Sequence, residues 1–198
     1  MNTANLFQHH LFTHRDFIFC QGQKGLAYRV TEGIVALECG DESASTSLVH
    51  LAMPGDLIGI EGLFDQAYSM AARALFPCRL VSVIQDKRFI KSHILPEVCI
   101  QQQRQSLDMV KLRTGKVSQR LAYLLHMFSA MQANRKTPLT RKELPSLKYV
   151  SQIVDVRIET ICRELNSLMP DEEAERARNF VKLRQFGPRD ESSMLFAA

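Results

Sequence analysis

The stretch that decides the fold is Leu147–Leu168, LKYVSQIVDVRIETICRELNSL. Apolar residues recur at every third or fourth position in both halves, which predicts two helices that each bury one side. They are Val150, Ile153 and Val154 in the first half and Ile158, Ile161, Leu165 and Leu168 in the second. Between the halves, Asp155 suits the left-handed backbone conformation that a tight turn needs. The stretch therefore predicts a helix-turn-helix.

This pattern carries a resemblance to a known family. The run Val150–Val154, followed by Glu159–Leu165, resembles the helix-turn-helix of Crp/Fnr-type bacterial transcription regulators. The resemblance implies that Glu159, Thr160 and Arg163 enter the major groove of DNA. The complete set of expected DNA-binding residues is Lys148, Gln152, Arg157, Glu159, Thr160 and Arg163.

The whole chain has the composition of an ordinary globular protein, with 198 residues, 45% of them apolar and 23% charged. No apolar run approaches the roughly 18 residues of a membrane span. The N-terminus also lacks the features of a signal peptide, so a cytoplasmic location without membrane contact is expected. Five cysteines without a Cys-x-x-Cys pair indicate neither a disulfide framework nor a zinc site. No metal, cofactor or catalytic residue is expected.

Basic residues cluster on both sides of the predicted helix-turn-helix. They are Arg135, Lys136, Arg141, Lys142 and Lys148 before it, and Arg176, Arg178, Lys182, Arg184 and Arg189 after it. Such clusters would suit contacts with DNA phosphates. The alternative is that they form two solvated surface patches.

The N-terminal half has a different pattern. From Phe17 to Ile84, short alternating runs separated by turn residues predict an antiparallel β-roll of the jelly-roll kind. The expected class is α+β, with a β-roll over residues 1–95, a long dimerisation helix over 96–132 and a winged helix-turn-helix over 133–198. Within the last domain, Phe180–Arg184 is the candidate strand of the wing.

Two segments of this half, Tyr28–Leu37 and Pro54–Phe64, resemble the cyclic-nucleotide-binding-type β-roll of the same family. Cyclic-nucleotide binders in the family have a Gly-Glu pair and, about ten residues later, an Arg-Ser pair that holds the phosphate. This chain lacks that pattern, so cyclic AMP is not the expected ligand. An organic acid bound through Arg73, another small effector or a purely structural roll remain open. The candidate pocket residues are Gly59, Ile60, Glu61, Gly62, Leu63 and Arg73.

After the roll, Pro96 and Glu97 suit the start of a helix. Apolar residues then step by threes and fours as far as Met131, which is typical of a coiled-coil seam. The seam residues are Ile100, Leu107, Val110, Val117, Leu121 and Leu124. Polar neighbours such as Gln101 and Gln105 make the first half too polar to be buried all round, so a parallel homodimer is expected. The resemblance implies that such a dimer presents two recognition helices to a palindromic DNA site.

These observations predict a dimeric DNA-binding transcription regulator without enzymatic activity. RNA polymerase and an unidentified small effector are further partners that this reading allows. Its rival is a cupin-like jelly-roll metalloenzyme with an appended helical domain, suggested by His9, His10, His14 and His50. The histidines lack the His-x-His spacing of a cupin. A third alternative is a protein–protein adaptor that has lost DNA binding.

Overall fold

The computed structural model describes residues 9–40, 46–83, 90–130 and 139–169. The strands are β1 His9–Phe12, β2 Phe17–Phe19, β3 Tyr28–Glu32, β4 Val35–Cys39, β5 Ser47–Ala52, β6 Leu57–Ile58, β7 Ala71–Ala74 and β8 Cys78–Ser82. The α-helices are α1 Leu95–Arg113, α2 Val117–Ala130, α3 Leu147–Val154 and α4 Ile158–Leu168. Short 3-10 segments lie at Ile60–Phe64 and Arg141–Glu143, and a π-helical turn, Ile90–Ile94, precedes α1. The candidate wing strand lies outside the described residues.

The strands form two antiparallel sheets, ordered β1-β8-β3-β6 and β2-β7-β4-β5. A buried core that includes Val30, Val35 and Leu80 holds the roll together. The turn between β3 and β4 depends on Gly33, which has φ 89°. A Cβ there would lie 2.5 Å from the carbonyl oxygen of Pro77, so only glycine fits. This architecture confirms the predicted α+β class with an antiparallel roll.

Helix α1 lies on the roll through its polar side. The Gln101 side-chain amide donates to the Leu57 carbonyl and accepts from the Leu57 N–H, both at 2.8 Å. The buried Asp56 carboxylate accepts hydrogen bonds from Arg104 and, at 3.3 Å, from Gln105. The apolar stripe of the helix consequently faces outward. In the single chain Ile100 is 69% exposed, Leu107 61% and Val110 55%.

The predicted continuous helix is broken, which corrects the expected seam. Thr114 is extended at φ −118° and ψ 155°, and Gly115 follows at φ 84°, so α1 and α2 are separate helices. Leu121 and Leu124, both expected on the seam, are each 1% exposed within the chain's own core. Val117 is partly buried against the same core. These three residues therefore face inward, because the backbone turns at Gly115.

One apolar core joins the roll to the helices. Phe76 of the roll packs edge-to-face against Phe128 of α2, with ring centroids 5.1 Å apart. The same cluster contains Ile34, Leu51, Leu112, Leu121, Val150, Ile153, Ile161 and Leu165. The helix-turn-helix therefore shares its core with the roll. Within the described part of the chain, no helix is long and apolar enough to cross a membrane.

Truncation at the centre of this shared core tests its role. Leu121→Ala should lower the free energy of unfolding by about 2–5 kcal/mol, because it removes buried methyl groups and leaves a cavity. Leu11→Ala is the matched control, since Leu11 is largely exposed and its truncation should cost less than about 0.5 kcal/mol. Urea unfolding at fixed protein concentration, followed by far-UV circular dichroism, measures both. Equal losses in the two variants would contradict the shared core.

The attachment of α1 also predicts a pH dependence. The Arg29 guanidinium donates two hydrogen bonds to the Glu97 carboxylate, and the one from Nη2 to Oε2 is 2.9 Å long. These bonds hold the pKa of Glu97 below its ordinary value of 4.5. Because the folded pKa is depressed, this pair stabilises the fold fully above pH 4.5 and loses its effect as the pH falls through the lower value. For a partly exposed pair the contribution is about 0.2–1 kcal/mol.

The stability difference between wild type and Glu97→Gln should therefore be constant near neutral pH and shrink below pH 4.5. Arg29→Gln should abolish that pH dependence, because it removes the group that lowers the pKa. Urea unfolding over a pH series measures the difference. A difference that persists unchanged into the acid range would exclude the pair as its source.

Candidate nucleic-acid interface and ligand cavity

The turn of the helix-turn-helix is closed by local hydrogen bonds. Asp155 ends α3 in the predicted left-handed conformation, at φ 51° and ψ 55°. The Ser151 hydroxyl donates to the Val156 carbonyl at 2.6 Å, and the Val156 N–H donates to the Ser151 carbonyl at 3.2 Å. The partly buried Val156 packs against the shared core. The angle between α3 and α4 is thus fixed by bonding and by packing.

Arg120 of α2 ties the helix-turn-helix to the break between α1 and α2. Its Nη1 donates to the Val154 carbonyl at 3.2 Å, and its Nε donates to the Gly115 carbonyl at 3.0 Å. The first bond satisfies a carbonyl at the end of α3, which would otherwise lack an intrahelical partner. Sequence reasoning missed this residue, since an arginine on a helix gives no sign of which carbonyls it will meet.

The structure places most of the expected DNA-binding residues on exposed surface. Ile161 and Leu165 are buried, and that orientation leaves Arg157, Glu159 and Arg163 of the α4 region exposed. On α3, Lys148 is also exposed, whereas Thr160 of α4 is half-buried. Among the described residues, Glu159 and Arg163 form no ion pair within 4.0 Å. Their charges are therefore available to another molecule.

Gln152 is the exception. It is partly buried, and its Nε2 donates to the Thr46 carbonyl at 3.1 Å, which places it between α3 and the roll. The expectation that Gln152 binds DNA is not supported by this position. Arg141, one of the basic residues that precede the helix-turn-helix, lies beside α4, where its Nη1 donates to Asn166 Oδ1 at 2.5 Å.

Arg73 lies at the same boundary between the roll and the helices, as its contacts show. Its Nε is 3.6 Å from Oε2 of Glu38, a carboxylate that is only 2% exposed. Its guanidinium also stacks 3.6 Å from the ring centre of Phe17. Burial, together with the negative charge of Glu38, raises the pKa of Tyr149 in α3. The Arg73 guanidinium is thus engaged by Glu38 and Phe17, and an organic acid bound through it stays a prediction.

A cavity of about 170 Å³ opens between the end of the roll and α1. It is lined by Phe19, Leu37, Leu57, Ile58, Gly59, Ile60, Glu61, Ser69, Met70, Gln101 and Gln102. Three of the expected pocket residues, Gly59, Ile60 and Glu61, are among them. The other three, Gly62, Leu63 and Arg73, do not line the cavity. The residues of α1 in the wall were missed, because their approach depends on how the helix folds back onto the roll.

Glu61 is the ionisable group of this lining. Its Oε1 accepts a hydrogen bond from the Ser69 N–H at 3.0 Å and another from the Ser69 hydroxyl. The residue before Ser69 is Tyr68, an uncharged side chain. The lining of the cavity contains no arginine.

Tyr68 is held firmly in the roll. Its ring stacks on Phe19 with centroids 3.9 Å apart, and its hydroxyl donates to the Leu26 carbonyl at 2.7 Å. Burial, aided by the charge of Glu61, raises the pKa of Tyr68 to about 12, so the side chain stays neutral. A Cβ on Gly59 would lie 2.9 Å from the Tyr68 ring, which accounts for the glycine there.

Within the described residues, no three His, Cys, Asp or Glu side chains come together in a way that could hold a metal ion. His50 is partly buried on β5, and its Nδ1 has no hydrogen-bond partner within the described ranges. Burial and the nearby positive charge of Arg113 lower the pKa of His50. The side-chain cluster that a cupin-like enzyme would need is thus not found in this part of the chain.

Comparison with known proteins agrees with this architecture. Residues 10–89 match the family model of the cyclic nucleotide-binding domain. Over 59 residues the chain is 41% identical to the transcriptional regulator SdrP of Thermus thermophilus. That match spans 30% of this chain and only 29% of the length of SdrP.

Two solved structures from the same organism are similar over most of the chain. TTHB099, a transcriptional regulator of the CRP family, is 22% identical with a TM-score of 0.63, over 80% of this chain and 83% of its own. TTHA1359, of the CRP/FNR family, is 24% identical with a TM-score of 0.54, over 81% and 85%. These relatives are described as transcriptional regulators, and the metalloenzyme alternative is not favoured. The chain shares the fold of these CRP/FNR-family structures, with a domain of the cyclic nucleotide-binding type ahead of a helix-turn-helix.

Proposed function

We propose that the chain is a dimeric, sequence-specific DNA-binding transcription regulator, controlled by a small effector other than cyclic AMP. The observation that carries the proposal is the exposed face of α4. Arg157, Glu159 and Arg163 stand there on a helix whose opposite side is locked into the shared core. A rigid helix with unpaired donors and acceptors suits the edges of base pairs in the major groove.

Charge around this face supports DNA as the partner. Lys148 is exposed on α3, and Arg141 lies beside α4 through its bond to Asn166. Basic groups that flank a recognition helix can neutralise phosphates and fix the register of the protein on the duplex. A DNA-binding regulator of this kind would act in the cytoplasm, with RNA polymerase as a further partner.

The outward stripe of α1 supports the dimer. Ile100, Leu107 and Val110 are all more than half exposed in the single chain. Their spacing is that of a coiled-coil seam, and exposed apolar side chains in such a row favour a second helix. A two-fold dimer would present two copies of α4 to successive major grooves. The proposed interface is therefore the α1 stripe alone, without Val117, Leu121 and Leu124.

The cavity supports an effector that is not a cyclic nucleotide. Its lining contains no arginine or lysine to hold a phosphate. Its volume of about 170 Å³ is also below the roughly 300–1,000 Å³ of pockets that take drug-sized ligands.

If Arg163 contacts a base edge, its removal should lower the affinity for DNA by an amount that depends on the DNA sequence. Arg163→Ala should weaken a selected duplex about ten- to a hundredfold and flatten the preference at one base pair per half-site. Lys148→Ala is the comparison variant, since a phosphate contact should weaken all duplexes alike and make the salt slope shallower by about one. Fluorescence anisotropy on the selected duplex, its single-base variants and a scrambled duplex, at several salt concentrations, measures both. An equal loss on every duplex with Arg163→Ala would make Arg163 a backbone contact.

The dimer is tested on the exposed stripe. Leu107→Glu combined with Val110→Glu should convert the protein to a monomer, because dimerisation would bury unpaired charges. Both residues are exposed in the single chain, so its own fold should be retained. Gln119→Glu adds charge at an exposed position on α2 and should leave the dimer intact. Multi-angle light scattering gives the mass, and a double variant that still has the dimer mass would place the interface elsewhere.

A further inference from the structure

We propose that the cavity between the roll and α1 binds a small cation, specifically a primary ammonium attached to a compact apolar group. The inference deepens the proposed function, on which it rests for its regulatory consequence. The chemistry of the ligand follows from four features of the cavity and of the residues around it.

The first feature is charge. Glu61 brings a carboxylate to the cavity, and the lining contains no lysine, arginine or histidine to balance it. Ser69 donates twice to Oε1, whereas Oε2 has no hydrogen-bond donor among the described residues. An anionic ligand would be repelled by this group, whereas an ammonium would donate to the free oxygen and pair with its charge.

The second feature is the apolar remainder of the wall. Phe19, Leu37, Ile58 and Met70 line the cavity beside the polar edge formed by Glu61. A wall with one charged edge and an apolar body favours an amphipathic ligand whose hydrocarbon part is removed from water. Because the volume is about 170 Å³, that hydrocarbon part is small.

The third feature is the fixed position of Tyr68, which packs behind two residues of the wall, Phe19 and Gly59. The ring is stacked on Phe19, and its hydroxyl is bonded to the Leu26 carbonyl. A Cβ at Gly25 would lie only 2.4 Å from that hydroxyl, so the chain passes as closely as glycine allows. Tyr68 thus behaves as a packed part of the roll.

The fourth feature is the contribution of α1. Gln101 and Gln102 both line the cavity, and Gln101 is occupied by its two bonds to Leu57. Gln102 is the neighbouring side chain of α1 and can offer an amide oxygen to the same ammonium. A ligand there touches the helix that carries the exposed stripe on its other side, which links the cavity to the proposed dimer.

Methionine methyl groups give a local readout in the full-length protein. Met70 lines the cavity, whereas Met109 and Met127 lie in the shared core and serve as internal controls. With isotope-labelled methionine methyls, NMR titrations would compare phenethylammonium, phenethyl alcohol, phenylpropanoate and cyclic AMP. We expect phenethylammonium to shift Met70 in a saturable way and to bind about tenfold or more tightly than the alcohol. Phenylpropanoate and cyclic AMP should leave Met70 unshifted.

Glu61→Gln removes the negative charge but keeps an oxygen that can accept the hydrogen bonds from Ser69. The variant therefore tests the effect of the charge alone. It should weaken phenethylammonium about tenfold or more and leave the alcohol within about twofold. Glu32→Gln is the matched control, since Glu32 is an exposed carboxylate outside the cavity, and it should change neither affinity.

Three results would overturn the assignment: a Met70 that does not respond to phenethylammonium, tighter binding of phenylpropanoate or cyclic AMP, or an ammonium affinity that Glu61→Gln leaves unchanged. DNA binding measured by anisotropy, both without a probe and with phenethylammonium, tests the regulator separately. If Met70 responds as expected but no duplex binds specifically under either condition, the proposed function fails and the cavity assignment stands. If DNA binds specifically and Met70 does not respond, only the cavity assignment fails.

Discussion

The polar attachment of α1 to the roll is the constraint on which the rest of this structure depends. Gln101 and Gln105 are buried on one side of the helix, and a buried amide that lost its partners would be costly. Gln101 uses both of its polar atoms on Leu57, so the helix can neither rotate nor slide without breaking those bonds. Asp56 fixes the next turn through Arg104 and Gln105. The apolar stripe of α1 consequently points away from its own domain.

The break at Gly115 gives α2 a different environment from α1. Since α1 is fixed with its polar side inward, a straight continuation would carry Leu121 and Leu124 out along the exposed stripe. The extended Thr114 and the left-handed Gly115 redirect the chain, and α2 buries both leucines against the roll and the helix-turn-helix. Arg120 holds the new direction by bonding both Gly115 and Val154. The same local turn therefore ends the exposed stripe and positions α3.

The sequence was sufficient for features that depend on local chemistry. The left-handed Asp155 and the burial of Ile161 and Leu165 follow from turn preference and helical spacing, and the antiparallel roll follows from alternation. The prediction of a continuous seam was wrong, because an apolar row with that spacing can pack equally well against a partner chain or against the chain's own core. The burial of Gln101 was unpredictable for a similar reason, since its partner Leu57 is distant in sequence. Arg73 could have been placed correctly, because Ala72 and Ala74 on either side of it fill the roll's interior and alternation turns Arg73 outward.

The boundary between the roll and the helix-turn-helix combines two kinds of contact with different physical consequences. Phe76 and Phe128 belong to a continuous apolar core, where separation would expose a large hydrocarbon area to water. At the rim, the boundary is polar: Gln152 bonds to Thr46, and the buried Glu38 faces Arg73. Groups of this kind can exchange their partners for water, so opening the rim costs less than opening the core. A ligand that displaced α1 would consequently act on the helix-turn-helix through the packing of Leu112 and Leu121 in the shared core. The polar contacts at the rim would separate before the apolar core does.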